Sequence, residues 1–331
     1  MLLYPFKIVT KIVSEIFLSA SEWLAAVKSF NLHLKYSFSQ RNPEKDIDKL
    51  KYYIVKNCHI VEKGMSLPEP RYAFGQSKIS KLIIKTKKYG LAMEKEGEII
   101  VEMVRDALRQ YRNFHHGKED LFEPGFIENL DEFLLCTDPK DKGGVSLVKK
   151  NQWNNFSIHD YEEFISSRRS VRDFDKTPVS DDVIISAIKV GLKAPSVCNR
   201  QGWHVHYYSD KNKIEDLLSH QNGNSGFTKS IDKLIIVTGN IKAFTRNEHN
   251  QLFVDGGIVS MNIILAIHAA GLGSCPLNTC MPYYKQKKIM NAGSIPVNER
   301  LIMMIAVGSL KKEFLVPKSE KYSIKQTLIK H

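Results

Sequence analysis

The sequence has little of what would mark several functional classes. Five cysteines, Cys58, Cys136, Cys198, Cys275 and Cys280, stand far apart with no C-x-x-C pair. This excludes a small disulfide scaffold and leads to the expectation of free thiols in a reducing, cytoplasmic compartment. No apolar run crosses residues 1–30 uninterrupted, because Lys7, Lys11, Glu15, Glu22 and Lys28 break every window, and a bilayer span needs about 20 such residues. There is no Walker A, G-x-S-x-G or H-E-x-x-H sequence, and no internal repeat or low-complexity tract.

What is present is ordinary globular composition: 331 residues, 43% hydrophobic, 10% aromatic and 25% charged. At roughly 150 residues per domain, that length suggests two domains. The formal charge of +12 is uneven, with 25 basic and 21 acidic residues over 1–160 against 23 and 15 over 161–331. The lysines are interleaved with Ile, Leu and Val as on solvated helix faces rather than gathered in a tail. With no aromatic-basic array or helix-turn-helix signal, nucleic acid is not an expected partner.

Near the N-terminus, Ile8, Ile12, Val13, Ile16, Phe17, Ala20, Trp23, Leu24 and Val27 recur at three- and four-residue steps and define one face of an amphipathic helix. That face is read as packing on its own domain or a partner subunit, in preference to contact of residues 1–30 with a membrane surface. Further helices are expected at about 44–60, 77–95 and 98–115. The breaker-rich stretch from Asp138 to Gly144 then precedes a domain boundary placed near residue 150. From there the pattern alternates, with helices at 159–166, 180–193, 211–219, 248–270 and 282–291 and strands at 203–209, 233–239 and 300–308. The expectation is a helical domain over 1–150, of unknown role, followed by a mixed α/β domain over 151–331.

Three clusters in the second half carry chemistry. In Arg168-Arg169-Ser170-Val171-Arg172-Asp173-Phe174, either an extended or a helical backbone brings Arg168 and Arg172 to one side. Paired guanidinium groups beside a hydroxyl suit a phosphate, and a solvated basic helix end suits the same residues equally well. In Ala194-Pro195-Ser196-Val197-Cys198-Asn199-Arg200-Gln201-Gly202-Trp203, Pro195 stops a helix and small polar residues expose backbone groups to a planar ligand. From Asp255-Gly256-Gly257 to Gly271-Leu272-Gly273-Ser274-Cys275-Pro276-Leu277-Asn278, an apolar helix ends at a glycine and enters a stretch read as an irregular loop.

In this order and spacing, the clusters resemble the R-R-S-x-R-x-F, A-P-S-x-x-N-x-Q-x-W and D-x-G-x-x-x-x-N-x-x-L-x-A-x-x-x-G-L-G-S patterns of the FMN-dependent nitroreductase family, over about half the chain. The resemblance implies an α+β fold, a nitroreductase-like mixed sheet flanked by helices. It also implies an intertwined homodimer with FMN at the subunit interface and a C-terminal arm crossing to the partner. By resemblance, Arg168 and Ser170 face the phosphate, Arg169 holds the adjacent motif position, and Arg172 faces the phosphate or the pyrimidine edge. Pro195, Ser196 and Asn199 match the turn that reaches the flavin of the other subunit, and Pro276, Leu277, Asn278 and Thr279 the backbone beside N5. Asn224 matches the polar residue against the pyrimidine ring, and Lys318, then Lys321, the basic segment returning to the phosphate.

Two positions depart from the family pattern: Gly202 stands where a proline is usual, and Phe227 where some members place a lysine. The implied activity is transfer of hydride from NADH or NADPH through FMN to an electron-poor small molecule in a ping-pong cycle. No catalytic side chain and no metal ligand are expected. The alternative is a flavin-binding or flavin-less scaffold whose helical half recruits a partner or a membrane surface.

The first half also contains Cys58-His59-Ile60-Val61-Glu62-Lys63-Gly64-Met65, then Arg71-Tyr72-Ala73-Phe74-Gly75. This resembles an H-x-x-E-K-G-[LM], R-x-x-F-G pattern that accompanies some nitroreductase-like proteins. His59 and Glu62 sit one helical turn apart, and a helix-ending salt bridge of Glu62 with Lys63 or Arg71 is favoured over a metal or acid-base pair. His115-His116 reads as a loop. His204 and His206 share a strand face, with no third ligand apparent in the sequence.

Overall fold

Helix-forming sequence occupies the first half of the chain and strand-forming sequence is confined to the second. The computed structural model describes residues 19, 22–39, 43–135, 138–154 and 156–331, with residues 94–96 described by their backbone alone. The first half comprises a helix over 22–36 (α1), then α2 (Ile47–Met65), α3 (Gln76–Phe114) and α4 (Phe126–Leu134). The second half runs α5 (Ile158–Ser167), α6 (Asp181–Gly191), β1 (Trp203–Tyr208), α7 (Lys211–Ser219), β2 (Lys233–Asn240), α8 (Gln251–Ala269), β3 (Gly273–Leu277), α9 (Tyr283–Ala292), β4 (Glu299–Gly308) and α10 (Ile324–Thr327).

Of the apolar N-terminal face, Trp23, Leu24 and Val27 fall among the described residues, where Trp23 and Leu24 are exposed. Its remainder from Ile8 to Ala20 lies outside them. The helices expected at 77–95 and 98–115 are a single helix, α3. The apparent break at Gly97 is a packing site: a Cβ there would stand 2.8 Å from Met93 Cβ, so a glycine costing about 1 kcal/mol in propensity is retained.

The helical half owes its shape to side chains that tie α2, α3 and the following loop together. Gly64 lets the Phe74 ring lie directly on α2, and Gly75 enters α3 at φ 75°. Tyr111 donates to the Phe74 carbonyl at 2.7 Å and stacks edge-on against its ring. These contacts give the Glu62-Lys63-Gly64 and Phe74-Gly75 pattern a packing role. His115 lies in the turn after α3 and is fully buried, with Nε2 accepting the Ala73 amide at 2.9 Å and Nδ1 2.8 Å from the Tyr111 carbonyl.

Glu62 pairs with His59 at 3.6 Å and accepts the Gly144 amide at 3.0 Å, in place of the expected bridge to Lys63 or Arg71. Asp106 accepts the amides of Lys140 and Lys142, and Gln110 that of Val145. The stretch expected to separate two domains is therefore fastened to α2 and α3.

The sheet has four strands in the order β1-β2-β4-β3, all paired antiparallel. Parallel pairing among the described residues is limited to two isolated bridges, Ser170 to Ser274 beside β3 and Phe38 to Thr245. β3 replaces the expected irregular loop. Its Pro276 masks the strand pattern, and proline is tolerated because β3 is an edge. β2 is buried along its whole length: Leu234 and Ile236 join the core under α7 and α9, while Ile235 and Val237 join the core under α6 and α8. Among the described residues α8 is the one helix long and apolar enough to cross a membrane, yet half of it is buried within the protein.

A β-bulge between Val237 and Thr238 shifts the register so that Val237 faces Met303 and Thr238 faces Leu301. Ile302 and Met303 therefore both pack on the α6–α8 side, and Leu301 and Met304 both on the other.

The two halves meet where Tyr52 packs on Ala243, Phe244 and Leu252. Asp46 caps α2 by accepting the Asp48 amide at 3.0 Å, and with Asp48 it holds Lys242 at 2.9 Å from each carboxylate. Arg200, buried in this junction, forms two hydrogen bonds to Glu248, at 2.8 and 2.7 Å, and donates to the Ala243 carbonyl at 2.8 Å. Burial pushes the Glu248 carboxyl up, but Arg200 and Thr245 together bring it down to about 2.

Glu248→Gln leaves a buried guanidinium without its counter-charge and is expected to cost about 3 kcal/mol or more at pH 7 in denaturant unfolding. The folded pKa lies below the unfolded value of about 4.3. The Glu248 contribution is therefore complete above about pH 5 and disappears as pH falls through 4 toward 2. The gap between wild type and variant should close over that range; a gap independent of pH would refute the ion-pair account.

Candidate functional site

The backbone leaves α5 at Arg168, with φ −67° and ψ 128°, so the segment that follows is extended and its side chains alternate. It lies along β3, with the Val171 amide donating to the Ser274 carbonyl at 2.9 Å. Val171 turns into the core and the neighbouring positions turn outward. Arg168, Arg169, Ser170 and Arg172 line one side of a cavity of about 600 Å³, and Lys318 and Lys321 line it from the C-terminal segment. Met261 of α8 forms part of the wall, and Glu320 is the acidic residue of the lining.

The two adjacent arginines are used differently. Arg169 donates to the Ser166 carbonyl and, at 3.0 Å, to the Arg168 carbonyl, placing its charge at the negative end of α5. Arg168 has its Nε buried with no partner, and an unsatisfied buried donor of this kind costs about 1–3 kcal/mol. A cavity lined by Arg168, Arg169, Arg172, Lys318 and Lys321 has the chemistry of an anion site.

Its charge is felt by its neighbours. Burial raises the Cys275 thiol, opposed by Arg172 and Arg168, and burial followed by Arg168 lowers His268. His268, which no sequence pattern singled out, lies 2.7 Å from the Ser167 hydroxyl and 5.1 Å from the Phe164 ring.

The Pro195–Gln201 turn is strained. Cys198, Asn199 and Gln201 have φ of 49°, 52° and 49°, a left-handed conformation that costs of order 1–3 kcal/mol per non-glycine residue and persists where surroundings enforce it. The enforcing contacts are visible. Ser196 Oγ accepts the Gln201 amide at 2.9 Å, Arg200 Nε donates to the Val197 carbonyl at 3.2 Å, and Asp255 accepts the Val197 amide at 3.2 Å. Burial raises the Asp255 carboxyl, although Gln251 donates to it at 2.8 Å. Gly202 is a close-approach glycine rather than a loss of rigidity, since a Cβ there would stand 2.6 Å from Ala243. Pro195 and Asn199 are exposed and Ser196 half-buried, all outside the cationic cavity.

The remaining candidates also lie outside that cavity. Pro276 and Leu277 belong to β3; the Asn278 carbonyl accepts from Gln221 at 3.1 Å, and the buried Thr279 hydroxyl donates to the Ile302 carbonyl at 3.1 Å. Asn224 is buried with its amide donating to the Leu218 carbonyl at 3.0 Å and to Thr228 at 2.9 Å. Phe227 is buried in the core beneath α7. The third group missing from the His204–His206 pair is Glu299, 93 residues from His206 in the sequence and 2.7 Å from it in space, a proximity no local pattern could show.

Residues 165–309 match a family model described as the nitroreductase family. A protein of Archaeoglobus fulgidus named "Putative NADH dehydrogenase/NAD(P)H nitroreductase" is 24% identical over 156 residues, 46% of this chain and 86% of that protein. Among solved structures, an FMN-dependent nitroreductase from Clostridium difficile R20291 is 22% identical with TM-score 0.44, covering 51% of this chain and 98% of that one. A "putative nitroreductase in complex with FMN" from Desulfovibrio desulfuricans is 21% identical with TM-score 0.45, covering 51% and 95%.

Asp255→Ala removes the acceptor of the Val197 amide. It is expected to destabilise by about 1–3 kcal/mol and to speed hydrogen exchange at Val197 ahead of the β2 amides. Exchange at Val197 unchanged from wild type would show that Asp255 does not hold the turn.

Proposed function

We propose that this chain, whose residues 165–309 match the nitroreductase family model, is an FMN-dependent oxidoreductase. It would pass hydride from NADH or NADPH to an electron-poor small molecule, nitroaromatic- or quinone-like in vitro, in a ping-pong cycle. The observation that carries this reading is the cavity lined by Arg168, Ser170, Arg172, Lys318 and Lys321. A phosphate monoester offers these donors several acceptor oxygens and up to about two negative charges, and FMN, when bound, would supply the hydride-accepting and hydride-donating ring chemistry.

The chain's own residues bind and orient. Arg168, Ser170 and Arg172 offer donors from one wall and Lys318 and Lys321 from the other. Arg169, committed to the end of α5, adds charge more than contacts. The Pro276–Thr279 stretch would present backbone groups to the ring. The Asn224 amide is already donated elsewhere, which leaves its carbonyl oxygen for a ring N–H. No side chain is assigned a catalytic role.

A second copy of the chain fits the same reading. Phe253, Val254, Ile258 and Met261 make an exposed apolar stripe along α8, and Met261 also lines the cavity. A homodimer that covers this stripe excludes water beside the cavity and can bring the Pro195–Asn199 turn of the other copy to it. Cys58, Cys198, Cys275 and Cys280 are free thiols, which fits a cytoplasmic location.

The purified full chain is expected to bind about one FMN per subunit and to oxidise NADH or NADPH when a nitroaromatic or quinone is supplied. Arg168→Met should weaken FMN binding about tenfold or more by removing a charge-assisted contact, read by fluorescence quenching. Colourless protein that cannot be reconstituted with FMN overturns the reading. Flavin-loaded protein without turnover selects the scaffold alternative, in which the helical half recruits a partner.

A further inference from the structure

Away from the cationic cavity, three strands converge on one buried carboxylate. Trp203, Val205 and Tyr207 of β1 pack toward α6 and α8, so His204 and His206 point to the opposite side of the sheet. Thr238 of β2, paired with His204, points the same way. Glu299 opens β4, and by strict alternation from Met304 and Ala306 it would face α6 and α8. The bulge at Ile302 reverses the phase of the strand below it and turns Glu299 toward the histidines.

The resulting contacts are specific. Glu299 is 2% exposed; one oxygen lies 2.7 Å from His204 Nδ1 and the other 2.7 Å from His206 Nε2. The Thr238 hydroxyl donates to the second oxygen. Burial pushes this carboxyl up, but the His204, His206 and Thr238 hydrogen bonds outweigh burial and bring it to about 2. A buried carboxylate requires pairing, and its ion-pair partners among the described residues are these two imidazoles.

We propose that His204, His206 and Glu299 form a binding site for a divalent transition metal of the zinc class. Two imidazole nitrogens and one carboxylate oxygen, all within 4.8 Å of one another, make an N₂O donor set suited to Zn²⁺. In the metal-free form each imidazole nitrogen facing Glu299 carries the hydrogen of the observed contact; the metal takes the place of that hydrogen and accepts the nitrogen lone pair. The His204 and His206 side chains are 42% and 22% exposed, so a metal can enter from solvent and keep water as its fourth ligand. Thr238 acts from behind, fixing the carboxylate that binds the metal. Bound there, the ion clips the edge strand β1 to β4 across β2.

The test is Zn²⁺ itself added to the flavin-loaded full chain after chelator treatment, with H204N/H206N and T238V beside wild type. Flavin binding and circular dichroism serve as checks that the variants fold. Because cysteines and other histidines also take up zinc, the quantity read is the difference between proteins. Wild type is expected to bind about one equivalent more than H204N/H206N, and T238V to bind that equivalent about 10-fold or more weakly. The thermal midpoint of wild type, and not of the double variant, should rise with Zn²⁺. Equal uptake by wild type and folded double variant overturns the proposal. If the double variant does not fold, a wild-type crystal soaked in Zn²⁺ decides: an anomalous peak bonded to His204, His206 and Glu299 supports the site, and no peak there refutes it.

Discussion

A guanidinium withdrawn from water is the contact on which the rest of the architecture leans. Arg200 pairs through two hydrogen bonds with Glu248, donates to the carbonyls of Val197 and Ala243, and lies over the rings of Phe38 and Phe244. Those partners belong to the strained turn, the loop between β2 and α8, and the segment after α1. Phe38 bridges to Thr245, and His33 reaches the Thr245 and Arg246 carbonyls. Arginine suits this position because its planar fork holds several acceptors at once while its face stacks on aromatics. A charge this deeply buried tolerates few alternative arrangements, so it holds the turn and the docked N-terminal segment in one geometry.

That rigidity bears on the proposed site. Three left-handed non-glycine residues within a short turn would relax if the chain allowed it. Arg200 acts on the turn from one side and Asp255, on the helix that also carries Met261, from the other. Turn and cationic cavity are thus both referred to α8, whose exposed stripe is the surface a second copy would cover. The fastening of the 138–145 stretch to Glu62, Asp106 and Gln110 extends the same logic to the helical half, which touches the second half through Asp46, Asp48 and Tyr52.

Positive charge is sorted by surroundings more than by number. Lys242 neutralises two carboxylates at the start of α2 and Arg112 bridges Glu119 and Asp131, so neither serves a ligand. Arg168, Arg172, Lys318 and Lys321 share one cavity, and it is this gathering, rather than the net +12, that gives the cavity the chemistry of an anion site. The same reasoning, run with opposite sign, singles out Glu299, a buried carboxylate whose ion-pair partners among the described residues are two imidazoles.

The sequence by itself determined most of the helices and three of the four strands, but neither α4 nor α10. Helix periodicity, the glycine after α8 and the strand runs at β1, β2 and β4 are local signals, set by side chains a few residues apart. It misjudged β3, where a proline hides an edge strand, and α3, where a glycine that reads as a break is a packing site. Gly202, where the family pattern has a proline, and Gly64 are close approaches to Ala243 and Phe74. Only the tertiary structure decided that Arg169, though it lines the cavity with its neighbours, spends its donors on the end of α5. It set Lys318 and Lys321 on one cavity with Arg168, and it alone set Glu299 beside His204 and His206. The physical reason is that a one-residue bulge and a half-turn of extended chain each reverse which way a side chain points, and neither leaves a local trace in the residues it reorients.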